Sequence, residues 1–351
     1  TGAGKTNIAL LTIMREVFKE LNNIETLSEE DKHTLTDFKN FSWKFKIVYL
    51  VPLKALANEI VEKFKTSLSY LNIKVSEFSA DVNLTKDQIE QTNLFVAIPE
   101  KWDLFTRKND NVFDNLKLMI IDEVHLLNED RGRVLESIVA RTIRKAENNQ
   151  KFIRITGLSA TLPNYWDIAE FLCVKEGLFN FDSSYRSTPL KMKFLGISDK
   201  QRSDREFKDL ENDIAYQEVI RYLRKDKQVL VFVHSRAETI NFGKELIRLS
   251  KYYGDTDIFR CGNNSKLRHI KFQNKTLDEF ASYGIGFHNA GLLRKDRNNV
   301  EHLFANKALN VLCSTSTLAW GVNLPAYCVI IKGVQFYDAA KGTMVDMGIL
   351  D

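Results

Sequence analysis

Two hydrophobic patterns alternate along the chain. Short apolar runs recur at Phe45–Val51 (FKIVYLV), Asn93–Ile98 and Leu118–Ile121, and more mixed strand-like stretches stand at Ile73–Phe78 (IKVSEF) and Lys151–Leu158 (KFIRITGL). Runs this short and continuous read as strands buried on both faces, as in a parallel sheet. The segments between them are longer and apolar at helical spacing. Asn7–Leu21 places Ile8, Leu11, Met14, Phe18 and Leu21 on one face. Further helices are predicted from the turn after Val51 to about Tyr70, from Pro99 onward, from about Arg131 to Glu147, and over Asn164–Phe171 with Asn164 as cap. Residues 22–44 are polar and read as a loop with a short helix. Strand, turn, helix, strand at this spacing is the rhythm of a doubly wound α/β sheet.

The rhythm restarts after a connection rich in aromatic and turn residues. A first domain over 1–182, a linker over 183–200 and a second domain over 201–351 follow from that break. In the second domain, helices are predicted over Phe207–Arg224, Ala237–Lys251 and Leu293–Phe304. Strands are predicted over Gln228–Val233, Gly284–His288, Ala308–Cys313 and Tyr327–Lys332. Lys251–Ser282 lacks apolar periodicity and is locally basic (Lys266, Arg268, His269, Lys271, Lys275), so it reads as an irregular insertion, either a solvated loop or a binding patch. Gly333–Asp346 alternates loosely around Lys341-Gly342, as a hairpin or a plain connection would.

The 351 residues suit about two domains, and 44% hydrophobic with 27% charged residues supplies ordinary globular cores. A net charge of +4 leans only weakly toward a polyanionic partner, so nucleic-acid binding must rest on local sites. Cys173, Cys261, Cys313 and Cys328 form no CxxC pair and no zinc-spaced cluster, which predicts buried free thiols in a reducing compartment. No apolar run is long enough to span a bilayer and no signal peptide stands at the start, which points away from membranes and toward nucleus or cytoplasm. The chain opens at Thr1 inside a motif, so further sequence upstream is expected.

Two stretches carry chemistry. Thr1–Thr6 reads TGAGKT, the last six positions of a phosphate-binding loop. Thr1, Gly2, Ala3 and Gly4 supply backbone that can approach phosphate oxygens closely. Lys5 brings a charge to the β- and γ-phosphates, and Thr6 a hydroxyl for Mg²⁺. Leu116–Asp130 reads LKLMIIDEVHLLNED, a buried strand running into Asp122, Glu123 and His125. Open α/β sheets bind ligands at such strand ends. Asp122 fits the role of Mg²⁺ ligand opposite Thr6, and Glu123 that of the base orienting water. Together they predict ATP hydrolysis with Mg²⁺. Lys54 and Lys101 fall just past other strand ends, where they are either solvated or phosphate-backbone contacts.

DEVH at 122–125, TGAGKT and SAT at Ser159, Ala160 and Thr161 resemble the superfamily 2 DExH-box helicases. IPEKWD at 98–103, LLNEDRG at 126–132, LSATLPN at 158–164, VFVHSR at 231–236 and TLAWGVNLPA at 317–326 resemble more closely the large two-cassette members of that superfamily, nearest their first cassette. The resemblance implies two RecA-like domains, ATP between them, and 3′ to 5′ movement on single-stranded or duplex nucleic acid, RNA or DNA. It implies strand contacts at Pro52, Lys54, Pro99, Lys101, His234, Ser235, Arg236 and Thr315. It further implies coupling of hydrolysis to unwinding at Ser159–Thr161, ATP-facing roles for Gly321 and Asn323, and a strand-separating hairpin over 333–346. His125 joins the catalytic set on the same ground. A larger multi-subunit complex is implied, serving ribosome quality control or alkylation repair, or alternatively splicing; a partner-binding cassette without turnover is the other alternative. Relatives place a first strand before Thr1 and paired arginines after Asp351, which implies a piece of a longer protein with weak turnover by itself. Departures from the family wording stand at Ala80, Ile98, Arg133 and Asn289.

Overall fold

A computed structural model of the chain describes residues 4–25, 43–78, 84–128, 132–186, 188–198, 203–259, 270–315, 318, 324–333, 335–338 and 342–346. The chain divides into two compact units, Thr1–Lys191 and Met192–Asp351.

The first unit opens with α1 (Lys5–Glu25), then β1 (Lys46–Leu50), α2 (Lys54–Leu68), β2 (Val75–Phe78), α3 (Lys86–Gln91), β3 (Leu94–Ala97) and α4 (Pro99–Lys108). It continues with β4 (Leu116–Ile121), α5 (Gly132–Asn148), β5 (Arg154–Gly157) and α6 (Tyr165–Phe171). The sheet order is β2-β3-β1-β4-β5, and every pairing is parallel. Both sheet faces are buried because alternate residues serve different helices. Ile47, Tyr49, Leu94, Val96, Leu118 and Ile120 pack with Ala9, Ile13 and Val17 of α1 and Phe64 of α2. Val48, Leu50, Phe95, Met119 and Ile121 pack with Trp102 and Phe105 of α4 and Leu135 and Ile138 of α5. Parallel strands bring all their C-terminal ends to one edge, so the residues after β1, β3, β4 and β5 become neighbours.

The second unit contains α7 (Asp204–Leu223), β6 (Val229–Phe232), α8 (Arg236–Tyr253), α9 (Lys275–Ser282), β7 (Ile285–His288), α10 (Arg294–Ala305), β8 (Val311–Ser314) and β9 (Cys328–Ile331). Its sheet order is β7-β8-β6-β9, again all parallel. One core joins Tyr216 and Ile220 of α7, Phe242 and Leu246 of α8, and Phe304 of α10 to the strands. β10 (Gln335–Asp338) and β11 (Thr343–Asp346) form an antiparallel hairpin with Tyr337 opposite Met344, so 333–346 is a hairpin rather than a plain connection. Gly342, directly before β11, stands at φ +66°, a conformation that L side chains rarely adopt. Both units have the α/β class expected of RecA-like domains.

Several expectations are corrected. Lys251–Ser282 is not irregular throughout: its end is α9, capped by the Asn274 side chain, with Leu277 and Phe280 buried. α7 starts at Asp204, three residues ahead of expectation, because Ser203 and Glu206 close a capping box. Asn164 does not cap α6; its amide donates to Asp167 instead of accepting a backbone N–H. Cys173 is exposed, so the thiols are not all buried, while Cys313 is enclosed. No helix among the described residues is long and apolar enough to cross a membrane.

Candidate active site

Gly4 stands at φ +88° and its carbonyl accepts from the backbone of Asn7 and Ile8, which starts α1 directly after it. The first turn of α1 therefore carries Lys5 and Thr6. The Lys5 ammonium lies 2.5 Å from Glu123 Oε1 across 118 residues of sequence. Thr1, Gly2 and Ala3 lie outside the described residues.

β4 delivers Asp122 at its end, where Asp122 N–H donates to Leu50 O at 2.9 Å. Glu123 then takes φ +50°, an unusual conformation for a residue with a side chain. That turn starts a 3₁₀ segment over Val124–Asn128 and lets Glu123 N–H donate to Asp122 Oδ1 at 3.0 Å. The other carboxylate oxygen, Oδ2, accepts from the Tyr49 hydroxyl at 2.8 Å. Burial pushes the Asp122 carboxyl above its ordinary range; the Tyr49 bond opposes this and Glu123 adds to it. Burial, with the Asp122 and Glu123 charges, also pushes the Tyr49 phenol up, so its hydroxyl stays a donor.

The third group is His125, whose Nδ1 accepts from Ala160 N–H at 3.3 Å and lies 3.4 Å from Ser159 Oγ. Glu123 Oε2 is 3.5 Å from the same nitrogen. An N–H donated to Nδ1 needs its lone pair, so the ring is neutral and the contact with Glu123 is not an ion pair. Burial, which lowers the His125 pKa against the pull of Glu123, agrees with the neutral form. Leu158 N–H donates to Ile121 O, and Val124 N–H to Leu158 O, so the DEVH and SAT turns leave the sheet side by side. Lys5, Asp122, Glu123, His125, Ser159 and Ala160 thus converge, and Thr161 stands exposed beside them.

The same edge carries the segments after β1 and β3, which pair in parallel. Pro52 and Pro99 are buried and shape the backbone there, while Lys54 is exposed. Lys101 is half-buried with its ammonium 5.4 Å from the Phe78 ring centre. In the second unit, His234 and Arg236 are exposed past β6. Ser235 caps α8, its Oγ accepting from Glu238 N–H at 3.1 Å. Thr315 follows β8 and is buried, its N–H donating to His288 O. Gly321 and Asn323 lie outside the described residues.

Sequence reasoning missed three supports. Tyr49 hid inside an apolar run, although a tyrosine in a strand buried on both faces must find a hydroxyl partner. Asn289 stood only as a departure from family wording, yet its side chain is buried, donating to Thr239 Oγ1 and accepting from Gly291 N–H. Lys332, buried just before the hairpin, lies 3.3 Å from Glu211 and 3.8 Å from Glu238, and Glu238 also pairs with Lys208 at 2.7 Å. Burial works to raise the Glu238 carboxyl, but the Lys208 hydrogen bond and the Lys332 charge hold it below the usual carboxylate range.

Comparison with known proteins adds to this geometry. Residues 1–168 match the DEAD/DEAH box helicase family. The whole chain is 46% identical to the RQC trigger complex helicase SLH1 of Saccharomyces cerevisiae, spanning 18% of that protein. It is 46% identical to activating signal cointegrator 1 complex subunit 3 of Mus musculus and 44% identical to the U5 small nuclear ribonucleoprotein 200 kDa helicase of Drosophila melanogaster, spanning 16% of each. The DUF1998 helicase MrfA, solved bound to DNA, superposes with a TM-score of 0.56 at 17% identity, over 83% of this chain and 39% of that one, a likeness of fold alone.

Proposed function

Because the chain belongs to the DEAD/DEAH box helicases, we propose that it is the motor core of an ATP-driven nucleic-acid helicase with its hydrolytic centre at Lys5, Asp122 and Glu123. The observation that carries this reading is the meeting of a phosphate-loop lysine with the strand-end carboxylates, at 2.5 Å between Lys5 and Glu123. Relatives in this family use ATP with Mg²⁺. Asp122 suits such an ion, since the donors that hold its two oxygens, the Tyr49 hydroxyl and the Glu123 N–H, are both neutral. Mg²⁺ is commonly bound through one or two carboxylates plus phosphates and water. Asp122 and Thr6 would hold it, and the ion when bound neutralises charge on the β- and γ-phosphates.

The chain's own groups supply the rest. Phosphates entering beside Gly4 compete with Glu123 for the Lys5 ammonium. Transfer of Lys5 to the phosphates frees Glu123 Oε1 to accept a proton from water. His125 stays neutral and reads that change through Ala160 and Ser159, which gives the SAT turn a route to couple hydrolysis with movement. Lys54, Lys101, His234 and Arg236, with backbone shaped by Pro52, Pro99, Ser235 and Thr315, are read as contacts to the sugar-phosphate strand, a sequence-indifferent mode suited to a motor. Gly321 and Asn323 are read as ATP-facing, and the β10–β11 hairpin as the strand separator. Movement is read as 3′ to 5′. The relatives' names favour work in a multi-subunit complex in cytoplasm or nucleus, with ribosome quality control ahead of splicing or alkylation repair.

The test is Glu123→Gln in the full-length protein. We expect nucleic-acid-stimulated ATP turnover to fall by at least about 10²-fold, the scale of general-base loss, with nucleotide binding retained. Turnover unchanged by this substitution overturns the reading.

A further inference from the structure

Tyr49 belongs to none of the residues given a role so far. It is the penultimate residue of β1, fully enclosed, and pairs in register with Ile120 of β4. Its ring packs edge-on against Phe64 of α2, with centroids 5.4 Å apart. Only its hydroxyl leaves the apolar core, and it ends at 2.8 Å from Asp122 Oδ2. A buried phenol could satisfy itself on any carbonyl of a neighbouring strand. This one meets the carboxylate proposed to face Mg²⁺.

The consequence is geometric. Asp122 Oδ1 is held by the N–H of Glu123 and Oδ2 by Tyr49, so the carboxylate is clamped from both sides. Both donors are neutral and leave the charge of Asp122 for a cation. Side chains that orient a metal ligand from behind commonly change metal affinity by about 10–100-fold when lost. A carboxylate held by one donor alone can rotate, and fixing it again costs free energy when the ion arrives.

We propose that Tyr49 is a positioning residue for Asp122, and that its hydroxyl sets the Mg²⁺ concentration at which the site takes nucleotide. The proposal rests on the nucleotide site proposed above. It also joins two roles at the C-terminal end of β1, since the strand that holds Asp122 through Tyr49 continues through Pro52 to Lys54.

The test is Tyr49→Phe in the full-length protein, which removes one oxygen and keeps the ring. Binding of a fluorescent N-methylanthraniloyl ATP is titrated with Mg²⁺, alongside melting curves in EDTA. We expect the half-saturating Mg²⁺ concentration to rise about tenfold, with the EDTA melting curve still cooperative but lowered by the lost hydrogen bond. A mild truncation in the same core, Ile60→Val, keeps the wild-type Mg²⁺ requirement. Equal Mg²⁺ midpoints for wild type and Tyr49→Phe, or an equal rise in Ile60→Val, overturn the proposal alone. A wild-type protein that takes no nucleotide at any Mg²⁺ concentration overturns the nucleotide site and the proposal with it.

Discussion

The helix that brings Pro99 and Lys101 to the site is tied to its neighbour by one charged cluster, and cutting that cluster has a calculable effect. Arg141 of α5 donates from Nη2 to Asp103 Oδ1 at 2.5 Å and from Nη1 to Thr106 Oγ1 at 2.7 Å, both acceptors lying on α4. Arg107 donates to the other oxygen of Asp103 at 2.9 Å. The side chains of Arg141 and Asp103 are only 20% and 12% exposed. Removing one partner of a fully buried pair costs about 3–5 kcal/mol. Here Arg107 stays behind and some water reaches the pair, so Arg141→Met is expected to cost about 2–3 kcal/mol, the range of one or two hydrogen bonds to charged groups. Asp103→Asn is expected to cost a similar amount. The double variant should recover about 1–2 kcal/mol of the sum, as contacting residues do. Urea unfolding followed by tryptophan fluorescence reads this, since three of the four tryptophans, Trp43, Trp102 and Trp166, lie in the first unit and only Trp320 in the second.

The same pair has a pH signature. Burial works to raise the Asp103 carboxyl, but the hydrogen bonds from Arg141 and Arg107 outweigh it and hold the group below its usual range. A depressed carboxylate stabilises the fold fully above its unfolded value of about 3.9, and that contribution is lost as pH falls through the folded value. The gap between wild type and Arg141→Met should therefore be constant near neutrality and close only in acid. Additive single-variant costs, within about 0.3 kcal/mol, refute the argument that these side chains fasten α4 to α5.

Two further outcomes follow from packing. A Cβ on Gly132 would sit 1.9 Å from the Leu127 carbonyl oxygen, a backbone atom with little freedom to move. Gly132→Ala is thus expected to destabilise the first unit by at least about 3 kcal/mol, the upper end of overpacking, and an unshifted melting temperature would contradict it. Burial pushes the Cys313 thiol up to about 12, whereas Cys173 is exposed. Iodoacetamide at pH 8 should modify Cys173 and spare Cys313 in the native protein, as read by peptide mass spectrometry.

The elements that were legible in advance share a cause. β1, β3 and β4 are covered on both faces, so their sequences are continuous apolar runs that need no partner to be recognised. α1 and α5 are long enough for helical spacing to repeat several times, although α1 buries Ala9, Ile13 and Val17 and leaves Ile8, Leu11 and Phe18, on the face read from sequence, exposed. α3 and α9 were missed because they are short: Lys86–Gln91 has six residues with none buried, and Lys275–Ser282 has eight. Periodicity is weak in one or two turns, and the locally basic surroundings of α9 masked what little it has, whereas the equally short α6 stood beside a clear strand end. Their caps could have shown them, since Thr85 with Gln88 forms a capping box and Asn274 caps α9.

The same division runs through the site. Local sequence was enough to place Lys5 at a helix start and Asp122 and Glu123 at a strand end, because a phosphate loop and a buried strand are each built from contiguous residues. It also carried the family, since those motifs are long. Contact between chain segments is another matter. That Lys5 meets Glu123, that Ala160 fixes His125 as neutral, and that Arg141 holds Asp103 all depend on strands lying parallel in the order β2-β3-β1-β4-β5. That order is chosen by side chains far apart in sequence packing on two faces at once. Tyr49 shows the difference most simply. As a letter in FKIVYLV it is one more apolar residue, and only the neighbouring strand, arriving from 71 residues later with Ile120 opposite it, gives its hydroxyl a carboxylate to hold.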